Sequence, residues 1–117
     1  MIPKKNRLQT EKDFAQLFKR GKIFHSSGIS GKIAQNKLGL NRFGFVISNK
    51  VSKKSVHRNK VRRRLRDIIG RKMEILRQGF DIAIMARQDV LDLTFKELEQ
   101  SVDHLLDKAG LMPKKVG

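Results

Sequence analysis

From Phe14 to Arg66 the chain carries no Asp or Glu, yet those 53 residues hold 15 Lys and Arg. The same stretch contains Phe14, Phe18, Phe24, Phe43, Phe45, Val46 and Ile47, which read as core material. A disordered basic tail would show its charge as a low-complexity run at one end. Here cations and apolar residues interleave, so the segment must fold with its charge gathered on one side. The rest of the 117-residue chain is close to neutral: residues 67–117 carry eight basic and nine acidic side chains, and the chain as a whole has a formal charge of +16. That length suits one domain, and 38% hydrophobic residues suffice for a modest core. A charge of this size in a folded domain calls for a polyanionic partner.

Several classes of function are excluded or disfavoured. There is no Cys, hence no disulfide framework, thiolate metal site or thiol nucleophile. His25, His57 and His104 lack paired-ligand spacing, so no metal site is expected. Glu11 and Asp13 read more simply as helix N-terminal acids than as an acid–base pair. Ser48 and Ser55 lack a nucleophile elbow, and Gly28 and Gly31 do not make a phosphate loop. No catalytic residue is expected. No apolar signal core follows Met1–Lys5, and the longest apolar run is Ile82–Ala86, so a soluble cytoplasmic protein without membrane contact is expected.

Thr10-Glu11-Lys12-Asp13 predicts a helix start, with Phe14, Leu17 and Phe18 on one face and Gly21 as a stop. Residues 22–34 alternate loosely around Gly28 and Gly31 and fit one kinked strand or two short ones. A polar turn over 36–41 leads to a strand at 42–48 and a loop around 51–54. From Ser55, Val61, Leu65, Ile68, Ile69, Met73 and Leu76 keep helical spacing as far as Gln78-Gly79. Residues 80–86 form a buried strand, and Thr94-Phe95-Lys96-Glu97 opens a capping-box helix that runs to Gly110. The order is α-β-β-(β)-α-β-α in a single domain over residues 1–117, with flexible ends at 1–6 and 112–117.

The long helix carries the sharpest motif. In Arg58-Asn59-Lys60-Val61-Arg62-Arg63-Arg64-Leu65-Arg66, only Val61 and Leu65 face the apolar side among the residues that interrupt the charge. Asn59, Arg62, Arg63 and Arg66 form one polar arc, and Lys60 and Arg64 carry the charge round the far side. Guanidinium groups grip phosphate oxygens bidentately, so a rigid row of them suits a nucleic-acid backbone. A solvated face would normally mix signs, and this one has no acid before Asp67. Lys50, Lys53 and Lys54 widen the same patch. A major-groove DNA reader would need base-specific side chains rather than a run of cations, so DNA is not expected.

These residues resemble the protein subunits of bacterial ribonuclease P, whose signature is an Arg-Asn-Arg element on the long helix followed by further cations. The resemblance extends to Asn6-Arg7-Leu8, Asp13-Phe14, Phe18-Lys19, Arg42-Phe43-Gly44-Phe45 with Ser48, and Asp81-Ile82 through Ala86-Arg87. Lys60 stands where relatives often have a second Arg, Ser52-Lys53-Lys54 occupies a loop that often carries Gly, and no aromatic stands near Gly31-Lys32. The resemblance implies an α+β domain, an α/β sandwich of a mixed sheet and helices with a left-handed βαβ crossover. It implies partnership with ribonuclease P RNA and with the 5′ leader of precursor tRNA. Magnesium would be held by the catalytic RNA, with no cofactor bound by the protein alone. It also implies a leader cleft at Phe14, Phe18 and Lys32, although the helical spacing of the two aromatics equally suits plain core. A structural RNA-binding protein of the ribosome, or an assembly factor, is the alternative.

Overall fold

In the computed structural model, which describes residues 2–113, Thr10 caps helix α1 (Glu11–Arg20), its hydroxyl accepting the Asp13 N–H at 3.1 Å. The ambiguous segment resolves into a hairpin of β1 (Lys22–Ser26) and β2 (Ile29–Gln35). Gly28 makes the turn possible by taking φ +71°, a left-handed conformation that side chains disfavour. Strand β3 (Arg42–Val46), helix α2 (Ser55–Lys72), strand β4 (Phe80–Ala86) and helix α3 (Phe95–Lys108) follow. The sheet order is β1-β2-β4-β3, with β3 and β4 parallel and the other neighbours antiparallel. This is the expected mixed sheet, and α2 is the connection between its two parallel strands.

Register sorts the sheet into two faces. Ile29, Ile33, Phe43, Ile82 and Ile84 pack in one cluster with Val61, Leu65, Ile68 and Ile69 of α2 and Leu98, Val102, Leu105 and Leu106 of α3. Each such fully buried side chain contributes about 1.5–3 kcal/mol. On the opposite face, Ala34–Asp81–Arg42 stand in one row, Ile23–Lys32–Ala83–Gly44 in the next, and His25–Ser30–Met85–Val46 in a third. Helix α1 lies over part of that face, setting Leu17 and Phe14 against Leu8, Ala34 and Ala83. A buried ion pair secures it: Arg42 Nε and Nη2 donate to Asp81 at 2.9 and 2.8 Å, and Arg42 Nη1 lies 3.5 Å from Asp13 of α1. Asn36 also donates to Asp81, at 2.9 Å.

Three expectations are corrected. The segment expected to be a flexible end at 1–6 is packed over its described part, with Ile2 3% and Asn6 6% exposed. The cause is the open edge of β3: Leu8 N–H donates to the Phe43 carbonyl, Arg7 pairs with Phe43, and Asn6 Nδ2 donates to the Asn41 carbonyl. At the other end, Met112 packs partly buried against the core, and residues 114–117 lie outside the described residues. Helix α2 stops at Lys72 rather than near Leu76, because the chain turns to bury Leu76 and re-enter the sheet at β4. Strand β3 ends at Val46, although Ile47 stays buried. A 3₁₀ turn at Lys4–Asn6 and a 3₁₀ helix at Gln88–Asp92 complete the fold.

Candidate nucleic-acid interface

Successive residues of a helix are about 100° apart, so the buried stripe of α2 separates two basic shoulders. Asn59, Arg62 and Arg66 lie on one shoulder, and His57, Lys60 and Arg64 on the other. Arg63 stands on the solvent crest between them. No carboxylate pairs with Lys50, Lys53, Lys54, Arg58, Lys60, Arg62, Arg63, Arg64 or Arg66 among the described residues. By contrast Arg71 and Arg87 each have one, and Arg42 and Lys72 each have two. The first turn of α2 holds no acid and no capping side chain, so the positive end of the helix dipole adds to the same field.

The expected residues divide by role. Arg62 Nη1 donates to Asn59 Oδ1 at 3.0 Å, which splays the Arg62 fork beside an amide on the exposed shoulder. Arg58 turns inward, and its Nη1 donates to the Ser52 carbonyl at 2.8 Å, fastening the 48–54 loop to α2. Lys50, Lys53 and Lys54 are exposed on that loop. Arg62 and Arg66 also overhang a cavity of about 360 Å³ at the β3 edge, whose other walls include Arg7, Leu8, Phe14 and Phe45. Guanidinium groups thus meet an aromatic-lined opening that leads under α1.

Phe14 and Phe18 stack with centroids 6.5 Å apart and ring planes at 24°. Phe14 is half-buried over Gly44, and Phe18 is 38% exposed, so the core role falls to the first and an open ring to the second. Lys32 stands on the same sheet face, one strand from Ala83, with its stem beside Gly21. The third row of this face was not singled out from the sequence. There His25 Nδ1 lies 2.9 Å from Ser30 Oγ, and Arg87 donates to Ser30 Oγ at 3.2 Å and to the Ser26 carbonyl. Strict alternation through residues 22–34 would set His25 on the opposite face from Ser30 and Lys32; the hairpin turn between Ser26 and Ile29 is what brings the three onto one face.

Charge at the margin of the site is fixed by hydrogen bonding. The Arg42 guanidinium is held above its usual pKa by the hydrogen bonds to Asp81, which outweigh its burial. Burial alone would raise the Asp13 carboxyl, but hydrogen bonds from Thr10 and the charge of Arg42 prevail and lower it. Among the described residues, no three His, Asp or Glu side chains converge as metal ligands. No helix among them is long and apolar enough to cross a membrane.

The family model described as Ribonuclease P matches residues 2–110, which takes in α2, the sheet and α1 together. The chain belongs to the ribonuclease P protein family. It is 36% identical over 111 residues to the ribonuclease P protein component of Alkaliphilus oremlandii, covering 95% of this chain and 96% of that one. The structure of the Staphylococcus aureus RNase P protein superimposes with a TM-score of 0.85 at 26% identity, covering 92% of this chain and 98% of that one. The RNase P protein from Thermotoga maritima gives 0.79 at 27% identity, over 87% and 96%. Family membership makes the chain a protein component of ribonuclease P, the endoribonuclease of tRNA 5′ maturation.

Proposed function

We propose that the protein anchors itself to the RNA subunit of ribonuclease P through α2 and holds the 5′ leader of precursor tRNA along the open sheet face. One observation carries this reading: among the described residues nine cations on α2 and its leading loop have no carboxylate partner, and two of them, Arg62 and Arg66, share a cavity with Phe14. Phosphates of the RNA subunit sit against Lys50, Lys53, Lys54, Arg62, Arg63 and Arg66, with Asn59 free to donate to a sugar or base. Arg58 acts through the loop carbonyl that it holds.

The leader, single-stranded at the cleavage site, lies over the face that α1 leaves uncovered. Phe18 offers a ring for base stacking, Lys32 neutralises a backbone phosphate, and the His25–Ser30–Arg87 group supplies further donors. The substrate bond is broken on the RNA side, where the catalytic RNA holds the magnesium ions and this chain supplies position and charge. The setting is the cytoplasm.

Reconstitution with the cognate ribonuclease P RNA tests the reading, scored for 5′ leader removal at limiting Mg²⁺. The protein should raise cleavage of a precursor with a leader of several nucleotides far more than one with a single-nucleotide leader. Equal stimulation of the two substrates would overturn the leader assignment, and no stimulation of either would overturn the whole reading.

A further inference from the structure

The far shoulder of α2 has an opening of its own. It measures about 210 Å³ and is lined by His57, Lys60, Val61, Arg64, Val90 and Leu91. It forms where the 3₁₀ helix Gln88–Asp92 packs against α2. Val61 and Val90 make a buried floor, at 5% and 3% exposure, while Leu91 stands at the lip 43% exposed. His57 is steadied by Ser52 Oγ, 3.0 Å from its Nδ1. The acids of the 3₁₀ helix, Asp89 and Asp92, line an adjoining opening with Arg87 and Val51, and Leu91 stands between the two. The rim is therefore cationic and the floor apolar, and among the described residues that line this opening none is a carboxylate.

That combination selects a ligand. An apolar floor disfavours a bare phosphate, whose hydration would be stripped without compensation. A partner helix, about 10–12 Å across, is too wide for an opening of this size. A planar ring with an anionic linkage at its edge fits both features, and the guanidinium plane of Arg64 is itself a surface on which an unstacked base can lie. The position also matters. Lys60 and Arg64 are about 120–200° round the helix from Arg62 and Arg66, so a strand tracking one shoulder reaches the other only by rounding the Arg63 crest.

We propose that this opening is a second RNA site, which takes one unpaired nucleotide. Its base rests on Leu91 and the valine floor, its phosphates sit against Lys60 and Arg64, and it comes from an RNA segment other than the one that faces Arg62 and Arg66. The proposal rests on the reading of α2 as the anchor to the RNA subunit, and adds that α2 is gripped from both sides.

The absence of cysteine from the chain permits a direct test. Leu91→Cys and Arg66→Cys variants, each carrying a tethered iron chelate, are assembled with the cognate ribonuclease P RNA, and the sites of hydroxyl-radical cleavage are mapped. The expected result is cleavage by both probes at separate segments of the RNA. Cleavage from Arg66 alone, or at the same nucleotides from both positions, would overturn the second site while leaving the anchor reading intact. Silence from both would overturn the two together. A Leu91→Glu variant should bind the RNA at least about tenfold more weakly at unchanged Tm, because its carboxylate meets phosphate. Affinity equal to the parent's would also overturn the proposal.

Discussion

Gly44→Ala should destabilise the protein even though alanine is the better strand residue. Gly44 sits in β3 directly beneath Phe14, and a Cβ there would lie 2.4 Å from Phe14 Cζ and 2.6 Å from Cε1. Ordinary contact requires about 3.5–4.0 Å, so the ring must move by more than 1 Å. It cannot move sideways, since Leu8 flanks the same space at 3.2 Å from that Cβ, and it must lift α1 or swing toward the cleft. Overpacking of this kind costs about 1–3 kcal/mol, against a gain of about 0.5–1 kcal/mol from replacing a strand glycine. The net loss centres on about 1 kcal/mol and reaches about 2.5 kcal/mol at most, so Tm falls by about 3–6 °C at the central value in a domain of this size. A double-mutant cycle isolates the cause: in a Phe14→Ala background the same substitution should cost less than about 0.5 kcal/mol. Urea unfolding of the four proteins measures it. An equal cost in both backgrounds, or no cost in either, would refute the packing of Phe14 on Gly44 and with it the geometry of the cavity.

Other consequences are directly measurable. Thr94→Ala removes one arm of a capping box, the hydroxyl that accepts from Glu97 N–H, and keeps the other, in which Glu97 Oε1 accepts from the residue 94 backbone N–H; it should cost about 0.5–2 kcal/mol by urea unfolding. Asp13 has a folded-state pKa below its unfolded value, so its contribution is present above about pH 4 and is lost as pH falls through the folded value. Stability measured from pH 5 down to pH 2 should therefore fall less steeply in Asp13→Asn than in the parent, and identical slopes would contradict the assignment. Phe18→Ala, at an exposed ring, should leave Tm within about 2 °C and weaken binding of precursor with a long leader by about 1–3 kcal/mol. Precursor binding unchanged in that variant would remove Phe18 from the cleft.

Much of this was legible because it is local. Thr10 and Thr94 announce helix starts through side chains that bond to backbone three residues away, and the stripe from Val61 to Ile69 needs only the helical period. The cations of α2 were legible for the same reason, as was the pairing of Phe14 and Phe18 on one face of α1. What was missed depends on partners distant in the chain. Ile2 and Asn6 look like a loose end until the edge of β3 is in place to receive them. Gly31 reads as a strand breaker, yet a Cβ there would meet Leu105 of α3 at 2.9 Å, so it marks a close approach rather than an interruption. Helical spacing alone puts Arg58 on the apolar side of α2, but the Ser52 carbonyl that it reaches lies in an aperiodic loop, and the His25–Ser30–Arg87 group joins residues up to 62 positions apart. The floor of the far shoulder opening combines Val61 with Val90 in the same way.

The central claim is that the unpaired cations of α2 meet the phosphates of an RNA backbone, and the salt dependence of RNA affinity tests it most directly. With nine such cations on α2 and its leading loop, the logarithm of affinity should fall steeply against the logarithm of salt, with ~6–10 counterions released. The Arg62→Ala, Arg66→Ala double variant should reduce that slope by about 1.4–1.8. It should keep the parent's Tm, since neither side chain forms an ion pair within the described residues. A flat salt dependence for the parent, or a slope that the double variant leaves unchanged, would contradict the claim.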